Sequence, residues 1–428
     1  MYLCTSFYAN ILLMKKNLLL TVCLLAAING SAQKKDFSYK FYGQIRTDLY
    51  YNSRANQETV DGLFYMYPLD ERLDANGKDL NATANGSFYT LYTRLGVDVT
   101  GPKLGKAKTS AKVEVDFRGS GTSYSTVRLR HAYLNLDWGK SALLLGQAWH
   151  PLFGDVSPQI LNLSVGAPFQ PFSRAPQIRY QFKNKNMQLT AAAIWQSQYL
   201  SVGPNNVKSQ NYIKNSCVPE IYAGVDYKAG NWLAGAGLEL LSLKPRTEST
   251  VTIVDPVTKA EVSKTYKVDE RLTTLSYEAH VRYTNKDWFI AAKSVLGSNL
   301  TQTSMLGGYG VKSTNQWTGE QEYVSILNSS SWLNIVYGQK WKPGIFLGYT
   351  KNLGTGDAVT KLYGTGTDVD QVVMAGAELT YNVAHWKFGL EYTLSSAWYG
   401  SMDASNGKIK DTHSVCNNRI VGVAMFMF

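Results

Sequence analysis

The sequence predicts an all-β fold: a transmembrane antiparallel β-barrel of about sixteen strands, with long extracellular loops and short periplasmic turns. Three observations carry that expectation. Apolar and polar residues alternate with period two along much of the chain, the chain ends on an aromatic strand, and the tryptophans sort by their place along the strands.

The alternation begins in FSYKFYGQIRTDLYY, where Phe37, Tyr39, Phe41, Ile45, Leu49 and Tyr51 share one face. Lys40, Gln44, Arg46 and Asp48 share the other, as a strand between lipid and a water-filled lumen requires. The pattern recurs with Leu95, Val97 and Val99 against Arg94 and Asp98. It returns with Val113, Val115 and Phe117 against Lys112, Glu114, Asp116 and Arg118. Strands are expected near 37–52, 87–100, 107–119, 124–138, 140–149, 175–183, 186–198 and 217–228. The second half continues near 231–244, 268–284, 287–297, 328–341, 344–352, 368–382, 385–397 and 414–428. EQEYVSIL, just before 328, is a further candidate strand segment. Turns such as KNKN, KAGN, KPG and NVAH alternate with long loops, the asymmetry between the two sides of an outer membrane.

The chain ends are equally informative. Met14-Lys15-Lys16 opens the apolar run LLLTVCLLAAI, which closes on Gly30-Ser31-Ala32. A charged start, a short apolar core and a small-residue exit make a secretory signal, expected over 1–32 with cleavage after Ala32. Residues 1–13 have no part in such a signal, so Met14 is the expected initiator, and the barrel occupies 33–428. From Arg419 to Phe428, apolar residues stand at every second position back from the terminal Phe. This resembles the C-terminal strand by which outer-membrane barrels are recognised, so the barrel-assembly machinery is an expected partner.

Tryptophan placement supports the same fold. Trp138, Trp232, Trp288, Trp341 and Trp386 sit beside short turns in the outward phase, while Trp149, Trp195, Trp332 and Trp398 sit near the opposite strand ends. Two belts of indoles at the two water interfaces are expected.

Composition bounds function. Past Ala32 no apolar run reaches the roughly twenty residues of a membrane helix. A net charge of +11 points to anionic solutes or lipopolysaccharide as partners, and export excludes a nucleic-acid role. Of four cysteines, Cys4 and Cys23 fall in the leader. Cys217 and Cys416 start strands eight and sixteen on opposite sides of the barrel, too far apart to bridge.

No phosphate loop, G-x-S-x-G, H-E-x-x-H or C-x-x-C occurs. His131, His150, His280, His385 and His413 show no metal-ligand spacing, so no catalytic residue, metal or cofactor is expected. The glycines of AGAGLEL fit close packing within a strand. The loop HPLFGDVSPQILNLSVGAPFQPFSRA differs from the others, with four prolines and several apolar residues, among them Leu152, Phe153, Ile160, Leu161, Phe169 and Phe172. Such a loop must pack against something. One reading folds it inward as a constriction near 150–174; the other makes it a lid or subunit contact outside the pore.

VRLRHAYLNLDWGKSALLLGQAWHPLFGD carries a family resemblance. Arg128, Arg130, Ala132, Tyr133, Gly146, Gln147, Trp149, Phe153 and Asp155 are similar to the R-x-R-x-A-y…G-Q-x-W-x-x-F-x-D stretch of the DcaP-like trimeric porins. More distantly, the stretch is similar to that of the phosphate-selective porins. The motif covers under a tenth of the chain. The resemblance implies a homotrimer of sixteen-stranded barrels passing small hydrophilic, anionic solutes such as dicarboxylates by passive diffusion, and no enzyme. The leader's Ser-Ala-Gln ending looks like those of Bacteroidota. The long N-terminal coiled coil of some such porins has no counterpart here. A barrel enzyme (a lipase or protease) and a non-conducting adhesin or assembly barrel are the alternatives.

Such porins set ion preference by opposing wall arginines to acids on the constriction loop. Arg46, Arg94 and Arg179 fall on inward faces, with Arg118 nearer the outer mouth. Arg128 and Arg130 share parity with Ala132 and Leu134, so turning them inward needs a bulge. The loop contributes Asp155 and Arg174, while Asp48, Asp98, Glu114 and Asp116 offset the wall. Modest anion preference is the expectation, with charge-neutral ladders as the competing one.

Overall fold

The computed structural model describes residues 37–59, 64–119, 125–254 and 259–428. The expected leader and its cleavage site, with Cys4 and Cys23, lie outside the described residues. Sixteen antiparallel strands close into one barrel. They are β1 Ser38–Asn52, β2 in two pieces (Asn85–Tyr89 and Arg94–Leu104), β3 Ala107–Gly119, β4 Thr126–Asp137, β5 Ser141–Trp149 and β6 Arg174–Asn184. There follow β7 Met187–Ile194, β8 Glu220–Ala229, β9 Trp232–Leu243, β10 Leu272–Thr284, β11 Trp288–Ser298 and β12 Gln321–Tyr337. The last four are β13 Trp341–Thr355, β14 Val369–Val383, β15 Trp386–Met402 and β16 Ile409–Met427. Each strand pairs with its sequence neighbour, and β1 closes the ring against β16 from Gln44↔Met427 to Asn52↔Arg419. Closure leaves no open edge in a solvent that cannot hydrogen-bond one.

The alternation decides what each strand exposes. On β1, Tyr39, Phe41, Ile45, Leu49 and Tyr51 face outward and stay exposed, while Arg46, Asp48, Tyr50 and Asn52 are buried inside. Asn56–Thr59 with Phe64–Pro68, and Glu248–Val254 with Glu261–Lys267, form hairpins within long loops. Gly307–Thr314 extends the sheet beside β12.

At the short-turn end, four outward tryptophans each face an aromatic partner in register on the next strand. Trp232 meets Tyr283 with ring centroids 4.8 Å apart, Trp288 meets Tyr337 at 4.7 Å, Trp341 meets Tyr381 at 4.6 Å and Trp386 meets Phe426 at 4.9 Å. Such cross-strand aromatic pairs fix register while presenting an amphipathic belt to the interface. The second belt is not formed by its four expected members. Trp332 is buried in the lumen and donates from Nε1 to Gln170 at 2.8 Å, and Trp149 stacks on Phe153 inside.

Other boundaries also move. The turn placed at KPG lies at 338–340, where Gly338 takes a φ of 98°. Pro343 instead pairs with Leu379 near the start of β13, where a missing N–H costs little. EQEYVSIL belongs almost wholly to β12 rather than to a separate strand. β16 starts at Ile409, so Cys416 lies well inside it, and Cys217 caps a short helix, Asn211–Ser216, before β8. Both thiols are free and exposed. Peptide mapping without reductant should recover Cys217 and Cys416 on separate peptides; a linked pair would contradict the strand numbering.

The C-terminus is a structural joint. Gly43 N–H donates to the Phe428 carbonyl at 2.9 Å, and Phe428 N–H returns to Gly43 O at 3.1 Å. A Cβ on Gly43 would meet the Phe428 ring at 2.6 Å, so glycine lets the ring lie against the first strand. Replacing Phe428 with Asp should therefore prevent assembly without affecting secretion, read as loss of heat-modifiable migration on gels. Normal migration would count against that role.

Candidate functional site

The inner wall from β1 to β6 carries seven arginines, Arg46, Arg94, Arg118, Arg128, Arg130, Arg174 and Arg179, against four carboxylates, Asp48, Glu114, Asp116 and Asp98, the last paired with Lys112 at 3.0 Å. Two backbone irregularities create this arrangement. β2 breaks between Tyr89 and Arg94, and the gap places Tyr92 among the arginines. The guanidinium carbons of Arg46, Arg94, Arg118 and Arg130 lie 5.3, 5.0, 5.8 and 5.5 Å from its ring centroid. Arg94 also donates to the Tyr92 hydroxyl at 2.6 Å.

The second irregularity is a bulge in β4. His131 pairs with Glu114 and Leu129 with Val115, leaving Arg130 as the extra residue. Tyr133 and His131 thus share a face with Arg130 and Arg128, although the parity of the sequence separates them. Arg130 donates from Nε to Glu114 at 2.6 Å and from Nη1 to Asp116 at 3.0 Å, while Arg128 grips Asp116 at 2.6 and 2.9 Å. Arg46 pairs with Asp48 at 2.6 Å. Arg174 and Arg179 have no carboxylate in ion-pair range among the described residues. Arg174, wholly buried, lies 4.6 Å from the Trp149 ring and donates to the Tyr199 hydroxyl at 3.1 Å, with Nε and Nη1 left without partners. Arg179 donates to Gln177 Oε1 at 2.8 Å and to the Trp149 carbonyl. Arg174 is the first residue of β6 rather than a loop residue.

The loop 150–173 crosses the interior and is held from several sides. Lys293 on β11 donates to the Leu152 and Phe153 carbonyls at 2.7 and 2.9 Å, and Arg282 on β10 to Asp155 O at 2.6 Å. Asn334 on β12 accepts from Gln159 N–H at 2.7 Å. Glu378 on β14 and Glu391 on β15 both accept from Leu161 N–H, at 2.9 and 2.7 Å, and Arg46 donates to Leu161 O at 2.6 Å. Its apolar residues join Trp332, Phe346 and Met374 of the far wall. Asp155, exposed, lines a small recess with Arg179, Asp226 and His280.

A second inserted element carried an overlooked signal. The hairpin strand Phe64–Pro68 is buried against β15 and β16, with Phe64 4.9 Å from Phe172 and the Tyr399 hydroxyl on Pro68 O at 2.8 Å. FYMYP is as apolar as the loop 150–173, and the same reasoning would have turned it inward. Above the arginines, a cavity of about 490 Å³ is lined by Phe64, Arg118, Arg128, Gln198, Tyr199 and Lys208, among others.

Of the mid-strand histidines, His280 bridges Glu278 at 2.9 Å and Asp226 at 2.8 Å, so neither nitrogen is left for a nucleophile. His131 packs edge-on against Trp149 and Tyr133. Gly235 and Gly237 make room for the His280 ring and the Tyr222 hydroxyl, since a Cβ would approach them at 2.5 and 2.3 Å.

The family model of the DcaP outer membrane protein matches residues 16–233, about half the chain. The chain belongs to this family. It is an outer-membrane protein of the porin class. The crystal structure of the outer membrane channel DcaP of Acinetobacter baumannii is similar at a TM-score of 0.64 and 19% identity, over 93% of this chain and 99% of that one. OmpT of Vibrio cholerae is similar at 0.54 and 12% identity, over 93% and 100%. The anion-selective porin from Comamonas acidovorans is similar at 0.53 and 11%, over 92% and 100%. No curated protein sequence matches.

The residues that resemble the DcaP-like motif form one physical unit here. Gln147 Nε2 donates to the carbonyls of Leu129 at 2.8 Å and of the bulged Arg130 itself at 3.3 Å. Gly146 holds a φ of 129°, and a Cβ there would meet Ala132 O at 2.3 Å. Trp149 continues the strand under Arg174 and stacks on Phe153 at 4.0 Å. Gln147→Leu leaves those carbonyls short of a donor at a cost of about 1–3 kcal/mol. The folded barrel should then lose its compact gel band at a lower temperature than wild type; an unchanged transition would show that the bulge holds without Gln147.

Proposed function

We propose that the chain is a passive channel for small hydrophilic solutes that favours anions such as dicarboxylates, acting as a homotrimer. The observation that carries the reading is the seven-to-four excess of guanidinium over carboxylate on the wall facing the inserted loop. A low-dielectric wall focuses such an excess into the lumen. Arg46, Arg94, Arg118, Arg128, Arg130 and Arg179 are the pore-lining set, the wholly buried Arg174 adds its charge from within the wall, and the loop 150–173, with Asp155 as its acid, is the constriction. Three of the arginines spend much of their charge on Glu114 and Asp116, which is why preference rather than exclusion is proposed. Arg174 and Arg179 keep theirs. The anion-selective relative named above and a trimer form of OmpT, similar at a TM-score of 0.52, support selectivity and assembly respectively.

Arg46 also ties down the loop through Leu161 O, so its removal changes pore shape along with charge. Arg118 and Arg128, which line the cavity above the constriction, make the cleaner test. Reversal potentials across a potassium chloride gradient should show chloride preferred. Arg118→Gln with Arg128→Gln should lower that preference by about twofold or more, given the charge removed from a focused field. Cation selectivity in the unaltered channel would sink the proposal, as would a barrel that conducts nothing.

A further inference from the structure

At the root of the inserted loop, three side chains from three elements converge away from the arginine wall. His150 follows β5, Glu220 opens β8 and Glu239 lies on β9. His150 Nε2 is 3.1 Å from a Glu220 carboxylate oxygen and 3.9 Å from Glu239 Oε2. The ligand atoms of all three lie within 4.8 Å of one another, and each side chain is 1% exposed or less.

The cluster is short of positive charge. Among the described residues, His150 is the one basic side chain in ion-pair range of either carboxylate. The remaining contacts are amides: Gln196 Nε2 donates to Glu220 at 2.7 Å, and Gln302 Nε2 to Glu220 at 3.2 Å and Glu239 at 3.0 Å. Two buried carboxylates this close, with one imidazole between them, are costly unless a cation or a shared proton compensates. One atom stands ready for a ligand: Glu239 Oε2 has no hydrogen-bond partner. Gln302, 1% exposed, sits on both carboxylates through Nε2, and its Oε1, also without a partner, comes into reach when the amide turns over.

We propose that His150, Glu220 and Glu239 bind a divalent transition-metal ion of the zinc type, with Gln302 Oε1 or a water as the fourth ligand. One imidazole and two carboxylates are a borderline donor set that suits zinc in tetrahedral geometry, whereas calcium asks for six to eight oxygens. The ligands come from separate strands, so no spacing in the sequence marks them. Coordination through Nε2 places the ring proton on Nδ1, which now accepts from Leu152 N–H at 3.2 Å. Binding therefore turns the Pro151–Leu152 peptide, and the metal acts on the loop where it leaves the wall.

The test uses the folded full-length barrel, loaded with zinc, dialysed against metal-free buffer and assayed for bound metal by mass spectrometry. Wild type should retain about one zinc per chain more than Glu239→Gln or His150→Gln, both still heat-modifiable, and, loaded with calcium instead, should retain none after the same dialysis. Surface sites such as His413 with Asp70 cancel in that difference. Equal zinc in wild type and Glu239→Gln overturns the proposal and leaves a shared proton as the compensation. Cobalt gives a second reading on wild type alone: a visible absorption band of tetrahedral strength is expected at one equivalent, and its absence overturns the site equally.

Discussion

Closing a sheet on itself assigns every strand residue to one of two solvents, and only an extra residue in one strand can reverse the assignment locally. The interior chemistry depends on that constraint. On β4 the parity set by Tyr133 and His131 would send Arg128 and Arg130 into lipid, where an arginine near mid-bilayer costs about 2–4 kcal/mol. The bulge at Arg130 turns both inward onto Glu114 and Asp116. Gln147 then occupies the carbonyls that a bulge takes out of the ladder. A single inserted residue thus links the backbone of β4, the glutamine of β5 and the charge on the pore wall.

So many guanidinium groups can share one wall because they are stabilised in two ways. Arg46, Arg94, Arg128 and Arg130 use carboxylates, and aromatic faces add to these or, at Arg174, stand in their place. Tyr92 serves four arginines at once, and Trp149, Phe172 and Tyr199 surround Arg174 at 4.6, 5.6 and 5.6 Å. A desolvated cation–π contact contributes about 2 kcal/mol without cancelling the charge, so the aromatic contacts keep positive potential where an ion pair would remove it. That difference explains how the wall retains a field in spite of its ladders.

Much of this was legible in the sequence, for identifiable reasons. Alternation is a local property, so the outward faces of β1, β2 and β3 and the limits of β3 were readable residue by residue. The cross-strand partners of the turn-side tryptophans follow from register once the turns are right. Less legible was whatever depends on the lumen being filled. Trp332 has the composition of a belt residue but meets Gln170 from the inserted loop and Phe346 of β13 inside the lumen. Val421, Val423 and Met425 on β16 face inward and are apolar because Leu161 and Leu163 lie on them, so the last strand is greasy on both faces. KPG reads as a turn by composition, yet the glycine with positive φ is five residues before Pro343, at Gly338. The site arginines on β1 to β3 came from parity alone, whereas the cluster of His150, Glu220 and Glu239 needed three strands in their true order.

The filled lumen also explains why the inserted loop is fastened by polar rather than apolar groups at its two extremes. A loop brings its own backbone N–H and C=O groups into the barrel, and each must find a partner there. At the tip, Leu161 alone meets Glu378, Glu391 and Arg46 from three strands. At the root, Lys293 takes two consecutive carbonyls and His150 turns back on Leu152. Between them the aromatic and aliphatic residues supply volume, which a neighbouring side chain of similar size could supply equally well. The polar pins are directional and fix where the loop stands. The width left beside the arginine wall is therefore set in part by Glu378, Glu391 and Lys293, on strands outside that wall, so substitutions away from the arginines can reshape the passage they line.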